Sequence, residues 1–230
     1  PRRFGPYANK VYTGRKNKEA FGHNFGIHYP GYEWPEARPA KTMPCYDRLN
    51  AAGAVWGAVY GWEIPLWFAP EGCEAKDTWS YRTFNSMPHI GAECRAVRET
   101  AGLFEMTPMA KFEVSGPGAE VWLNRILANR MPRKIGGIVL AHLLTHKGTI
   151  RCEFTVTRLG ETSFYLVGTP RGERHDFDVL QKTLPADGTV TLINVTAERG
   201  GLTLVGPKAR DILQDLVDGD LGNDAFPWMS

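Results

Sequence analysis

The 230 residues are 43% hydrophobic and 23% charged with a formal net charge of +2, an ordinary globular composition that excludes a disordered chain. So small a charge, with no dense Lys/Arg stripe interleaved with aromatic rings, sets nucleic-acid binding aside. No apolar run approaches the roughly 20 residues of a membrane span, and the opening PRRFGPYANK has no apolar signal-peptide core, so the chain reads as soluble and intracellular.

In chain order, residues 1 to 42 carry neither a helical nor a strand period and are expected to be irregular. The stretch FGHNFGIHYPGYEWPEARPAK is dense in Gly, Pro and aromatic rings, which order by lying on a surface supplied elsewhere. A short helix is expected from Pro44 to Ala52, stopped by Gly53. Val55 to Phe68 holds three of the seven tryptophans and reads as aromatic packing, with Glu63 its one polar candidate. Residues 71 to 85 read as a polar linker, and from Pro88 the texture becomes regular. The chain is therefore divided into 1–85 and 86–230.

In the second part, helices are expected at His89 to Thr100, Pro117 to Ala128, Gly172 to Leu184 and Pro207 to Val217. Strands are expected at Leu103 to Met106, Lys111 to Ser115, Ile138 to Thr145, Val190 to Val195 and Leu202 to Val205, which makes the fold class mixed α+β. KFEVSGPGAEVWLNRIL and GLTLVGPKARDILQDL echo one another: strand, Gly-Pro, then an apolar-striped helix. In both, glycine permits the turn and proline takes the first helical position, which suggests a duplicated module. A helix start of this kind can bind an anion, but no GxxxxGK pattern accompanies it.

The four cysteines are widely spaced, with no CxxC pair and no histidine at zinc-site spacing, so they read as reduced thiols and no metal site is expected. The functional argument begins instead at THKGTIRCEFTVTRLGETSFYLVG, Thr145 to Gly168, which reads as a hairpin. Ile150, Cys152, Phe154 and Val156 alternate with Arg151, Glu153, Thr155 and Thr157. Glu153 thus sits mid-strand on a polar face, either a solvated face paired with Arg151 or Arg158 or the wall of a polar site. A four-residue loop, Leu159 to Thr162, would pair Arg158 with Ser163 and put Tyr165 on the face opposite Glu153. A three-residue loop or a bulge would bring both to one face.

YDRLNAAGAVWGAVYGWEIPLWF resembles the linker region of the dimethylglycine and sarcosine dehydrogenases. ECRAVRETAGLFEM, KFEVSGPGAEVWL, GTIRCEFTVTRL and FYLVGTPRGERHDFDVL resemble their C-terminal tetrahydrofolate domain, shared with the aminomethyltransferase (T-protein) of the glycine cleavage system. The resemblance implies a flavin domain that oxidises an N-methyl amine to an iminium, and a folate domain that captures the one-carbon unit as methylene-tetrahydrofolate. It implies FAD and tetrahydrofolate as cofactors, the flavin domain of the same polypeptide as partner and a possible homo-oligomer. Cytoplasm, or mitochondrial matrix in a eukaryote, is the implied location.

Residue by residue, the resemblance puts the folate-site carboxylate at Glu153, a strand tyrosine at Tyr165 and the methionine after the LF-acid block at Met109. The glycine-cleavage enzymes usually carry aspartate at the first of these. No GxGxxG follows a strand near the start, and the family's later Tyr-x-Gly-Glu-x-Gly-Trp-Glu block is not present, so the chain is expected to be an internal fragment: flavin-side tail, then the first part of the folate domain. Isolated, it is expected to be inactive. A non-catalytic docking or regulatory module of the same fold, and a stand-alone folate-dependent aminomethyl- or methyltransferase, are the alternatives.

Overall fold

A computed structural model describes residues 8–230, which form two compact units. The first runs to Glu105 and takes in Thr203–Ala209; the second comprises Met106–Leu202 and Arg210–Ser230. Helices and antiparallel ladders alternate along the chain, the α+β class read from the pattern.

In the first unit, α1 (Lys10–Gly22) is a helix where an irregular segment was expected. Its N-cap Asn9 accepts a hydrogen bond from the Tyr12 amide, satisfying one orphan donor, and Glu19 is its one buried residue. A helix with so little apolar surface leaves almost no periodic signal. Next, α2 (Tyr46–Ala51) ends at Gly53, whose φ of 87° suits only glycine well. The tryptophan-rich stretch is a hairpin, β1 (Ala54–Val59) and β2 (Trp62–Phe68), joined at Tyr60 and Gly61, both with positive φ. Trp67, 2% exposed, donates Nε1–H to Asp77 and stacks on His89 of α3 (Met87–Glu99), whose Glu93 accepts from the Phe68 amide. The unit closes with β3 (Gly102–Glu105) paired to β9 (Leu202–Val205).

The second unit is built on a five-stranded sheet in the order β5-β6-β7-β4-β8, with every pairing antiparallel. Its strands are β4 (Ala110–Ser115), β5 (Ile138–Leu144), β6 (Ile150–Arg158), β7 (Ser163–Gly168) and β8 (Thr191–Asn194). Phe112, Val114, Ala141, Phe154, Val156, Phe164 and Leu166 are wholly buried on one face. Against them pack Trp122 and Leu123 of α4 (Ala119–Ile126) and Val179 and Leu180 of α5 (Glu173–Thr183). The other face of the same strands carries the polar residues.

The Gly-Pro echo has a geometric counterpart. Gly116 and Gly206 have φ of 117° and 116°. A Cβ would lie 2.3 Å from the Thr189 carbonyl oxygen at the first and 2.6 Å from that of Thr100 at the second. Gly118 N–H donates to Thr189 and Lys208 N–H to Thr100, two residues past each glycine, ahead of α4 and the short α6 (Ala209–Gln214). These amides are spent on backbone carbonyls, which removes them from anion binding.

Candidate functional site

Strand register decides which side chains share the uncovered face. Thr157 lies opposite Tyr165 and Arg158 opposite Phe164, so five residues separate the paired positions rather than the expected four. The reason is Ser163, whose carbonyl accepts from both Leu159 and Gly160 N–H, so that it closes the turn on the β6 side while still pairing with Ser115 of β4 on the other. One residue of shift flips every side chain to the other face, and Tyr165 stands on the same side as Glu153, correcting the expectation of opposite faces. Ile150, expected on the apolar face, is 64% exposed, because a bulge leaves Arg151 unpaired between Leu143↔Cys152 and Leu144↔Ile150.

His142 of β5 lies directly across from Glu153, and its Nε2 is 2.7 Å from Glu153 Oε2. Arg158, one of the partners anticipated for that carboxylate, instead bonds Glu120 at 2.8 Å and the carbonyls of Pro132, Gly160 and Glu161. Among the described residues Glu153 has no other protein hydrogen bond, and its side chain is 49% exposed. A histidine in the preceding antiparallel strand was the available signal for this pair, but its use required the β5–β6 register.

A second cluster lies on the same face. Glu113 of β4 is directly opposite Tyr165 and forms an ion pair with Arg199. Burial, partly opposed by the Arg199 charge and reinforced by Glu113, raises the Tyr165 phenol above its ordinary pKa, so it stays a hydroxyl donor. Neither Glu113 nor Arg199 was singled out in the sequence. Tyr165 sits opposite Thr157, four residues along β6 from Glu153, an offset of about 13 Å at about 3.3 Å per residue. The two side chains thus share a face without sharing one small contact.

Met109 is half-buried in the turn leading into β4, its amide donating to Met106. Met109 directly precedes the pair Ala110↔Gly168, the first of the β4–β7 ladder. Lys111, buried on the same face, donates Nζ hydrogen bonds to the carbonyls of Thr107 (2.6 Å) and Met109 (2.8 Å), which ties this turn down. The face therefore offers a carboxylate–imidazole pair, a phenol in a charged cluster, and apolar surface from Leu140, Val167 and Ile193. It suits a flat ring that needs hydrogen-bond acceptors and apolar contact together.

The first unit has a cavity of about 240 Å³ edged by Tyr12, Lys16, Trp34, Arg38 and Glu63. Its charges are already paired: Arg38 to Glu63, and Lys16 to Glu19 and the Trp34 carbonyl. Among the described residues, no group of three or more His, Cys, Asp and Glu side chains could hold a metal ion, and no helix is long and apolar enough to cross a membrane.

Residues 45–230 match the family model described as the GCVT N-terminal domain, and residues 1–42 match the FAD dependent oxidoreductase central domain. Mitochondrial dimethylglycine dehydrogenase of Rattus norvegicus is 30% identical over 230 residues, covering 100% of this chain and 27% of the relative. The mitochondrial pyruvate dehydrogenase phosphatase regulatory subunit of Mus musculus is 28% identical over 210 residues, 89% of this chain and 24% of the relative. The chain thus spans about a quarter of the length of these curated relatives. Among solved structures, the glycine cleavage system aminomethyltransferase T from Bartonella henselae superposes with a TM-score of 0.61 at 32% identity, over 76% of this chain and 43% of that one.

Proposed function

The chain belongs to the GCVT N-terminal domain family, and on that premise we propose that it is the folate-side portion of a flavin-dependent N-methyl amino acid dehydrogenase of the dimethylglycine/sarcosine type. In this reading residues 1–42 are the tail of the flavin side and the matched residues 45–230 begin the domain that receives the one-carbon unit on tetrahydrofolate, a boundary earlier in the chain than the expected 85/86. The observation that carries it is the uncovered sheet face, where the half-exposed Glu153 carboxylate stands among apolar strand residues, with the Tyr165 phenol about 13 Å farther along the same face.

The flavin, when bound elsewhere in the whole protein, supplies oxidation of the N-methyl amine to an iminium. Tetrahydrofolate, when bound, would supply the nitrogens that take up the one-carbon unit as methylene-tetrahydrofolate, and the Glu153 face would hold it. Glu153 has the chemistry to accept hydrogen bonds from the ring, to stabilise the cationic carbon and to take up a proton. Met109 supplies a polarisable apolar wall for the ring. Tyr165, about 13 Å along the sheet from Glu153, serves a different part of an extended ligand and donates its hydroxyl there.

Calorimetric titration of tetrahydrofolate into the full-length protein tests the reading. Binding weakened at least about tenfold by Glu153→Gln, the loss expected when a charged hydrogen-bonding partner is removed, supports it. Unchanged binding retires Glu153. One observation favours a second reading, a docking or regulatory module: a relative matched over 89% of this chain is a phosphatase regulatory subunit. An absence of any folate binding would select that alternative.

A further inference from the structure

Resting on the folate-site reading above, we infer that His142 is the positioning residue for Glu153, fixing one carboxylate oxygen so that the other meets the ligand. A half-exposed glutamate has three free torsions and loses up to about 2 kcal/mol of rotamer entropy when one geometry is imposed. Here that geometry is imposed before any ligand arrives. His142 is directly cross-strand, 28% exposed at the side chain, and a stiff ring with two torsions. Its Nε2 meets Oε2 at 2.7 Å. An ionised carboxylate only accepts, so Nε2 carries the hydrogen of this contact. Among the described residues Oε1 takes no protein hydrogen bond, and it is the oxygen left to meet a donor on the ligand.

The contact also accounts for the length of the acidic side chain. Aspartate at position 153 would withdraw the carboxylate by one methylene, about 1.5 Å, and break a 2.7 Å contact. Glutamate and His142 therefore act as one device. Its effect is on geometry rather than stability, because a half-exposed pair of this kind contributes at most about 1 kcal/mol to folding.

The test is tetrahydrofolate titration of the full-length protein carrying His142→Ala, His142→Gln, Glu153→Asp and the double variant His142→Ala/Glu153→Asp, with Glu153→Gln as reference. His142→Ala and Glu153→Asp should each weaken binding about tenfold, and the double variant hardly more, since contacting residues are non-additive. Thermal unfolding should move little in all of them. His142→Gln keeps an N–H in reach of Oε2 and should recover most of the affinity, which a general packing role for the ring would not. Wild-type affinity in His142→Ala, beside a loss in Glu153→Gln, overturns the inference and leaves the folate-site reading standing. Equal losses in His142→Ala and His142→Gln with additive effects overturn it too. If Glu153→Gln itself binds normally, the site reading falls and takes His142 with it.

Discussion

Glu63 and Glu153 are both glutamates inside antiparallel hairpin strands among apolar neighbours, and they end in opposite conditions. Glu63 is 3% exposed, and both its oxygens are taken by Arg38, Nε at 3.0 Å and Nη2 at 2.6 Å. Glu153 is half exposed, and one oxygen meets one histidine. The first arrangement is the forked guanidinium–carboxylate pair that satisfies a buried charge, and it leaves little capacity for a ligand. The second leaves capacity and contributes little to folding. What separates a structural carboxylate from a candidate functional one here is how many of its lone pairs the protein itself has used.

The largest expected effect breaks the first pair. Arg38→Ala leaves the Glu63 carboxylate buried and unpaired, and should destabilise the first unit by about 3–5 kcal/mol, read as a lowered denaturation midpoint. Replacing both, as Arg38→Leu/Glu63→Leu, should recover much of that loss, because no charge then remains without a partner. A single variant as stable as the wild type would show that water reaches Glu63, and the contrast with Glu153 would collapse.

A finer prediction uses the neighbour of Glu153 on the other side of β6. Cys152 is 7% exposed; burial first, and Asp176 next, push its thiol up to about 12 from an ordinary 9.0. A thiol whose pKa is raised by folding contributes stability that is fully present below about pH 9 and is lost as the pH climbs toward 12. Cysteine-specific labelling of the native protein near pH 8 should therefore modify the exposed Cys73 and Cys94 and spare Cys152. Prompt labelling of Cys152 would mean that the helix-covered face opens as readily as the bare one.

The two faces were legible in the sequence to unequal depth. Alternation along Cys152, Glu153, Phe154 and Thr155 gave the inner and outer sides of β6 correctly, since burial of one side of a sheet imposes a period of two. Likewise the Gly-Pro echo marked two turns of matching geometry, because only glycine fits against the Thr189 and Thr100 carbonyls. Partnerships across strands were not legible. They depend on whether Ser163 closes the turn or pairs with β6, and on a bulge at Arg151, each a matter of one residue. His142 and Arg199 are found only once those registers are known. Helix α1 escaped for a different reason: with Glu19 alone buried, its cap at Asn9 was the main trace it left.

The smallest effect is the one that keeps site and scaffold apart. Glu153→Ala removes a half-exposed carboxylate and its contact with His142. The histidine left behind is 28% exposed at its side chain, so water can replace the lost acceptor and no buried donor is stranded. Folding stability should therefore stay within about 0.5 kcal/mol of the wild type in denaturant titration. A loss of several kcal/mol would mean that Glu153 belongs with Glu63 as a structural carboxylate, and any weakening of folate binding in its variants would then report unfolding rather than a vanished contact.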